Sequence, residues 1–393
     1  MKKITIAALA AIMASSAAQA EIKMGVILGF TGPIESLTPA MADSAELAFS
    51  EASNSGKLLG GETISVVRAD STCIDAAAAS AAAERMITAD GVSGIMGADC
   101  SGVTTAIANN VAVPNGVVMV SPSATSPALT TIDDNGYFFR TAPSDARGGQ
   151  VMAKVAIDRG ITDVAVTYEN SDYGKGLSDS FMTNFKSMGG TVSAVAAHEN
   201  GKADYSAEVA ALSAGGSDVL VVIGYLDQGG RGIMQNSVDT DAFDNFILGD
   251  GMIGQSLIDN VDGDISGSIG LLPGSESSGA QMFLNIASDA GLDGDGPFRA
   301  ESYDAAALMV LAMQAGGNSD RDTVAQNLMS VANAPGTKIL PGELARGLEI
   351  LAAGGEINYE GATNVELTDV GEASGSYKEL EIKGGKFETV SVR

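Results

Sequence analysis

Residues 21–70, EIKMGVILGFTGPIESLTPAMADSAELAFSEASNSGKLLGGETISVVRAD, decide the fold class. Ile22–Leu28 is a short, mostly apolar run with strand character. Thr38–Ala52 then places apolar residues at helical spacing, with a cap at Thr38 and a proline directly after it. Ile64–Ala69 is again a β-type run. Strand, helix and strand in succession make a parallel pair with a crossover helix, the unit of an open α/β sheet.

The alternation continues in both directions. The alanine-rich run Asp75–Ala89 is a strong helix former with an aspartate at its start. Gly94–Gly97 reads as a short strand, a helix follows from about Ser101, Val117–Ser121 is the next strand, and Ser126-Pro127 opens another helix. After Arg140-Thr141-Ala142-Pro143 the pattern restarts, with strands at Val164–Tyr168, Val192–Ala196, Val219–Ile223 and Phe246–Leu248 and helices between them. Ser268–Leu272 is strand-like, Arg299–Ala315 and Asp322–Ala332 are helical, and the tail from Gly355 reads as hairpins. Two doubly wound parallel sheets are therefore expected. Their ligand sites lie in the loops at the carboxyl ends of the strands.

Residues 1–20 stand apart from this pattern. Lys2 and Lys3, the apolar run Ile4–Ala14 and the Ala18-Gln19-Ala20 cleavage site have the layout of a secretory signal peptide cut before Glu21. No cysteine stands directly after the cut, and no later stretch has the length and apolarity of a membrane span. What remains is longer than one hydrophobic core serves, so two domains are expected. With 22 basic against 49 acidic residues, the net charge of −27 argues against nucleic acid and anionic membranes as partners. Cys73 and Cys100, the only two cysteines, suit a disulfide in an oxidising compartment.

Three sets of loop residues carry candidate chemistry. Gly97-Ala98-Asp99-Cys100-Ser101-Gly102 lies between a strand and a helix, where Ser101 could meet a carboxylate; taken alone, it reads as a plain N-cap serine. Ser121-Pro122-Ser123-Ala124-Thr125-Ser126-Pro127 offers hydroxyls in a loop stiffened by two prolines. Ser126 is a cap there, which leaves Ser123 and Thr125 as the ligand pair. Tyr173, Tyr225 and Asp250 each follow a strand of the second half, where aromatics can wall off a ligand and a carboxylate can neutralise an ammonium group. Gly249–Gly254 matches G-x-G-x-x-G, but it closes a βαβ series where the dinucleotide motif should open one, and Asp250 would repel a pyrophosphate. The sole histidine, His198, reads as an exposed strand-end side chain, and no hydrolase motif or carboxylate pair stands out.

The combination GFTGP (29–33), DSTCID (70–75), GADCSG (97–102), SPSATSPALT (121–130), FRTAPSDA (139–146), SDYGKGL (171–177) and INYEGA (357–362) resembles the leucine/isoleucine/valine-binding family of periplasmic, type I solute-binding proteins of ABC transporters. The resemblance spans nearly the whole chain after residue 20. It implies a periplasmic monomer that captures an amino acid and delivers it to a membrane permease, with no catalysis, no cofactor and no membrane insertion. Its fold implies two lobes joined by three crossovers: 21–141 plus 272–333 as lobe I, and 142–271 plus 334–393 as lobe II. Ser101 and Thr125 match residues that hold an α-carboxylate, and the Ser123–Thr125 loop and Asp250 match those that hold an α-ammonium. Tyr173 and Tyr225 match the closing aromatics, Phe298 is retained, and Cys73–Cys100 matches the family's disulfide.

Two departures concern the ligand's side chain. Leu37 replaces an aromatic, and Asp99 stands where leucine-binding relatives carry an apolar residue. A carboxylate left dry and unpaired beside an aliphatic chain is costly, which argues for a polar or cationic ligand side chain. The alternative is an Asp99 that caps the helix and faces away. The competing functions are a ligand sensor of the same fold that reports to a membrane receptor, and a binder of a small amide or amine.

Overall fold

The computed structural model describes residues 21–393, so the expected signal peptide lies outside the described residues. The first half builds β1 (Glu21–Leu28), α1 (Thr38–Asn54), β2 (Thr63–Asp70), α2 (Ala76–Arg85), β3 (Gly94–Gly97), α3 (Ser101–Ile107), β4 (Val118–Ser121) and β5 (Phe138–Arg140). The second contributes α4 (Asp145–Asp158), β6 (Asp163–Glu169), α5 (Asp172–Ser187), β7 (Thr191–His198), α6 (Ser206–Ser213), β8 (Val219–Ile223), α7 (Gly229–Asp239), β9 (Asn245–Leu248), α8 (Gln255–Asn260) and β10 (Ile269–Pro273). The chain then adds α9 (Ser278–Asp289), α10 (Arg299–Gly316), α11 (Arg321–Ala332), β11 (Thr337–Ile339), α12 (Leu344–Ala352), β12 (Ile357–Tyr359), β13 (Tyr377–Lys383) and β14 (Lys386–Val392).

The strands form two large sheets, in the orders β2-β1-β3-β4-β5 and β14-β13-β10-β9-β8-β6-β7. The first is wholly parallel, and the second is parallel except for the β13–β14 hairpin at one edge. The expected fold class is thus the observed one. Helices cover both faces of such sheets, which is why Met24, Val26, Ile27 and Leu28 of β1 are buried on alternate sides alike. Gly97 ends β3 at φ 129°, where a Cβ would stand 2.1 Å from the Ile27 carbonyl oxygen, so only glycine lets β3 close against β1. In each sheet the strand order reverses beside β1 or β6, and the crevice at such a reversal receives ligands.

Several local expectations are corrected. Thr38 does not cap α1; Leu37 holds that position, while the Thr38 hydroxyl donates to the Gly29 carbonyl and ties the loop back. Ser126-Pro127 opens only a short 3-10 turn over Pro127–Thr131, capped by Ser126. Asp75 does cap α2, accepting from Ala77 and Ala78. His198 is 1% exposed, with Nδ1 2.8 Å from the Thr167 hydroxyl, and burial lowers its pKa to about 4. It is therefore an interior neutral side chain.

The third passage between lobes also moves. The expected boundary at 334 assigned the whole tail to the second lobe. Instead α12 packs on α1 and α10, β12 packs on α11, and Asp304 of α10 accepts from Ala362, Thr363 and Tyr359. The chain leaves the first lobe only between Glu372, ion-paired to Arg140, and Tyr377, which opens β13. β5 ends at Arg140 and β10 at Pro273.

Candidate functional site

Six loops meet at the carboxyl ends of the strands: after β1, β3 and β4 from one lobe, and after β6, β8 and β9 from the other. Between them lies a small cavity. Ser101, Ser123, Tyr173, Tyr225, Asp250, Asp99 and Phe298 all line it. Thr125 is not among the lining residues. It is buried in the same loop as Ser123, and its hydroxyl has no partner.

The polar wall is preorganised. Ser101 Oγ accepts the Ser126 amide at 3.1 Å, and Ser123 Oγ donates to the Asp99 carbonyl at 3.1 Å, which fixes two loops against each other. The Arg140 guanidinium donates to the carbonyls of Ala124 (3.0 Å) and Ser126 (2.9 Å), on either side of Thr125. Thr125 in turn accepts the backbone amide of Asp145 at 2.8 Å.

Across the cleft, Asp250 accepts the Tyr173 hydroxyl at 2.5 Å and the Gly251 amide at 3.0 Å. Burial pushes its carboxyl up to about 6, against the pull of those two donors. Asp145 is also buried; loss of solvent and the charge of Asp250 hold its carboxyl well above the usual range, and its Oδ2 has no partner. The rings of Tyr173 and Tyr225 stack at 5.2 Å and 16°, forming an aromatic wall.

Apolar lining comes from Ile34 and Leu37 in the loop before α1, from Met41 within α1, and from Phe298. Phe298 sits at φ 57°, a left-handed conformation uncommon for a side chain of this size, directly before α10. Strain of that kind persists only where packing overdetermines it, and it clusters at ligand sites.

Asp99 reaches the cavity, yet it is not dry and unpaired. Its carboxylate accepts the Gly29 amide (2.6 Å), the Ser71 hydroxyl (3.0 Å) and the Cys100 amide (2.9 Å). Burial raises its pKa and the donors pull it back. Asp99 therefore knots together the loops after β1, β2 and β3, and the premise for a polar ligand side chain falls away. The Cys73–Cys100 disulfide stands beside the knot and closes a separation of 27 residues. A loop of that length stabilises the fold by about 3–4 kcal/mol in the chain-entropy account. Sequence reasoning missed Ile34, Met41 and Arg140; only the periodicity of α1 and the position of Arg140 at a strand end hinted at them.

The sequence profile described as periplasmic binding protein matches residues 21–347. Leu/Ile/Val-binding protein homolog 3 of Brucella melitensis is 33% identical over 218 residues, 55% of this chain and 58% of the relative. Leu/Ile/Val-binding protein BraC3 of Rhizobium johnstonii is 27% identical over 361 residues, 91% and 93% of the two chains. Among solved structures, the leucine binding protein LivK of Thermotoga maritima superposes with a TM-score of 0.78 at 24% identity, covering 94% of this chain and 98% of its own. An ABC transporter solute binding protein from R. palustris in complex with 4-hydroxybenzoate reaches a TM-score of 0.75 at 19% identity, covering 95% and 97%.

Proposed function

Because this chain belongs to the periplasmic binding protein family, whose members bind solutes and do not catalyse reactions, we propose that it captures a branched-chain aliphatic L-amino acid and delivers it to an ABC import permease. The observation that carries this reading is the composition of the cavity wall. Asp250 supplies a buried carboxylate, and the Ser123–Thr125 loop further acceptors, for an ammonium group, while Ser101 and the adjacent Thr125 supply polar partners for a carboxylate. Ile34, Leu37, Met41 and Phe298 leave an aliphatic chain in apolar contact. Asp99 is occupied by three protein donors, so it makes no demand on the ligand's side chain. The Leu/Ile/Val-binding relatives support the same choice. The signal peptide read in residues 1–20 supports a capture step in the periplasm.

The test is isothermal titration with L-leucine, L-isoleucine and L-valine, beside two analogues that each lack one handle: 4-methylpentanoate, without the amine, and 3-methylbutylamine, without the carboxylate. Leucine should bind, and each analogue should lose about 100-fold or more, because each leaves buried polar groups unpaired. Binding of lysine or arginine with leucine silent would overturn the aliphatic reading. Binding of 4-hydroxybenzoate with all amino acids silent would overturn the ammonium site as well.

Asp250 also sets a pH dependence. An ammonium group pairs with the ionised carboxylate, whose pKa is near 6 in the folded protein. Below that value a proton must leave before the cation can dock. Leucine affinity should therefore be flat above pH 7 and fall by up to about tenfold per unit as pH drops below 6. Titrations from pH 5 to 8 check this, and Asp250→Asn should flatten the curve.

A further inference from the structure

The loop after β8 does more than carry Tyr225. Two residues on, Asp227 reaches across the cleft: its amide donates to the Pro33 carbonyl at 3.0 Å, and its Oδ2 accepts the Ser36 amide at 2.9 Å. Its other oxygen, Oδ1, accepts the Ser256 hydroxyl of α8 at 2.7 Å, which fixes the carboxylate's orientation from its own lobe. Pro33 and Ser36 bracket the turn that delivers Ile34 and Leu37 to the cavity, and Leu37 packs close to Gly254 of the facing lobe. One carboxylate thus joins the loop bearing the apolar wall to the loop bearing the aromatic wall, without lining the cavity itself.

We infer that Asp227 is a positioning residue for capture: a latch between the lobes that exists only in the closed form and sets how long a bound solute is held. The inference rests on the two-lobe capture described above, though not on the identity of the solute. A contact made only after closure retards release without aiding encounter. Ser256 holds the carboxylate ready in the open form, so little side-chain freedom is lost on closing.

The test compares Asp227→Ala, Asp227→Asn and wild type by stopped flow with L-leucine. Asp227→Ala should raise the dissociation rate about tenfold and leave the association rate within about twofold, as expected for one hydrogen bond to a charged acceptor. Asp227→Asn keeps an acceptor for Ser36 and should stay within about threefold of wild type. A second readout needs no ligand: spin labels at Lys57→Cys and Lys186→Cys report lobe closure driven by trimethylamine N-oxide, which favours burial by its exclusion from protein surface. Asp227→Ala should need more osmolyte to close. If leucine leaves wild type unmoved while the osmolyte difference persists, the latch stands and the leucine reading falls. Equal release rates and equal osmolyte curves would overturn the latch.

Discussion

Asp250→Ala should abolish tight binding of L-leucine. Asp250 is the buried negative charge that faces the proposed ammonium position, and truncating one partner of such a pair costs roughly 2–5 kcal/mol. That is a loss of more than about 30-fold in affinity. Titration calorimetry with leucine measures the effect. Unchanged affinity would remove Asp250 from the site.

The second large effect concerns Arg140, which is 1% exposed. Besides the two carbonyls flanking Thr125, its guanidinium donates to the Thr130 hydroxyl at 2.9 Å and to Glu372 at 2.5 Å. Arg140→Met keeps the apolar stem and removes every one of these bonds. It leaves two buried carbonyls and the Glu372 carboxylate uncompensated, for which about 3–5 kcal/mol is expected. Arg140→Lys should recover less than half of that, because a point charge cannot span the Ala124 and Ser126 carbonyls and Glu372 together. Denaturant midpoints check the order wild type, Lys, Met. Leucine affinity should fall in the same order, since the Ser123–Thr125 loop depends on those carbonyl contacts for its shape.

What the sequence revealed, and what it hid, follows from how local the information was. Strands and helices of each βαβ unit were legible because periodicity and caps act within a few residues, as at Asp75 before α2. The site loops were legible because the alternation itself places them at strand ends. The role of Asp99 stayed open in the sequence because its donors, Gly29 and Ser71, lie 70 and 28 residues away. Nothing near position 99 announces that its charge is already satisfied. His198 was misread for the same reason, its partner Thr167 standing on the neighbouring strand. The tail boundary failed because the docking of α12 on α1 and α10 is a tertiary choice that its own amphipathic pattern does not specify.

The two seams that flank the cavity carry a kinetic consequence. On one side Asp227 bonds the loop before α1; on the other the Ser126 hydroxyl donates to the Asp172 carbonyl at 3.1 Å, and Gly176 abuts Pro127. Under the proposed capture, both seams must part before an incoming molecule reaches the occupied site. A solute already inside therefore cannot be pushed out by a rival. Flooding the surroundings with competitor fills the site only as fast as the hinge empties it, so the protein meters its cargo by its own clock rather than by the concentration outside.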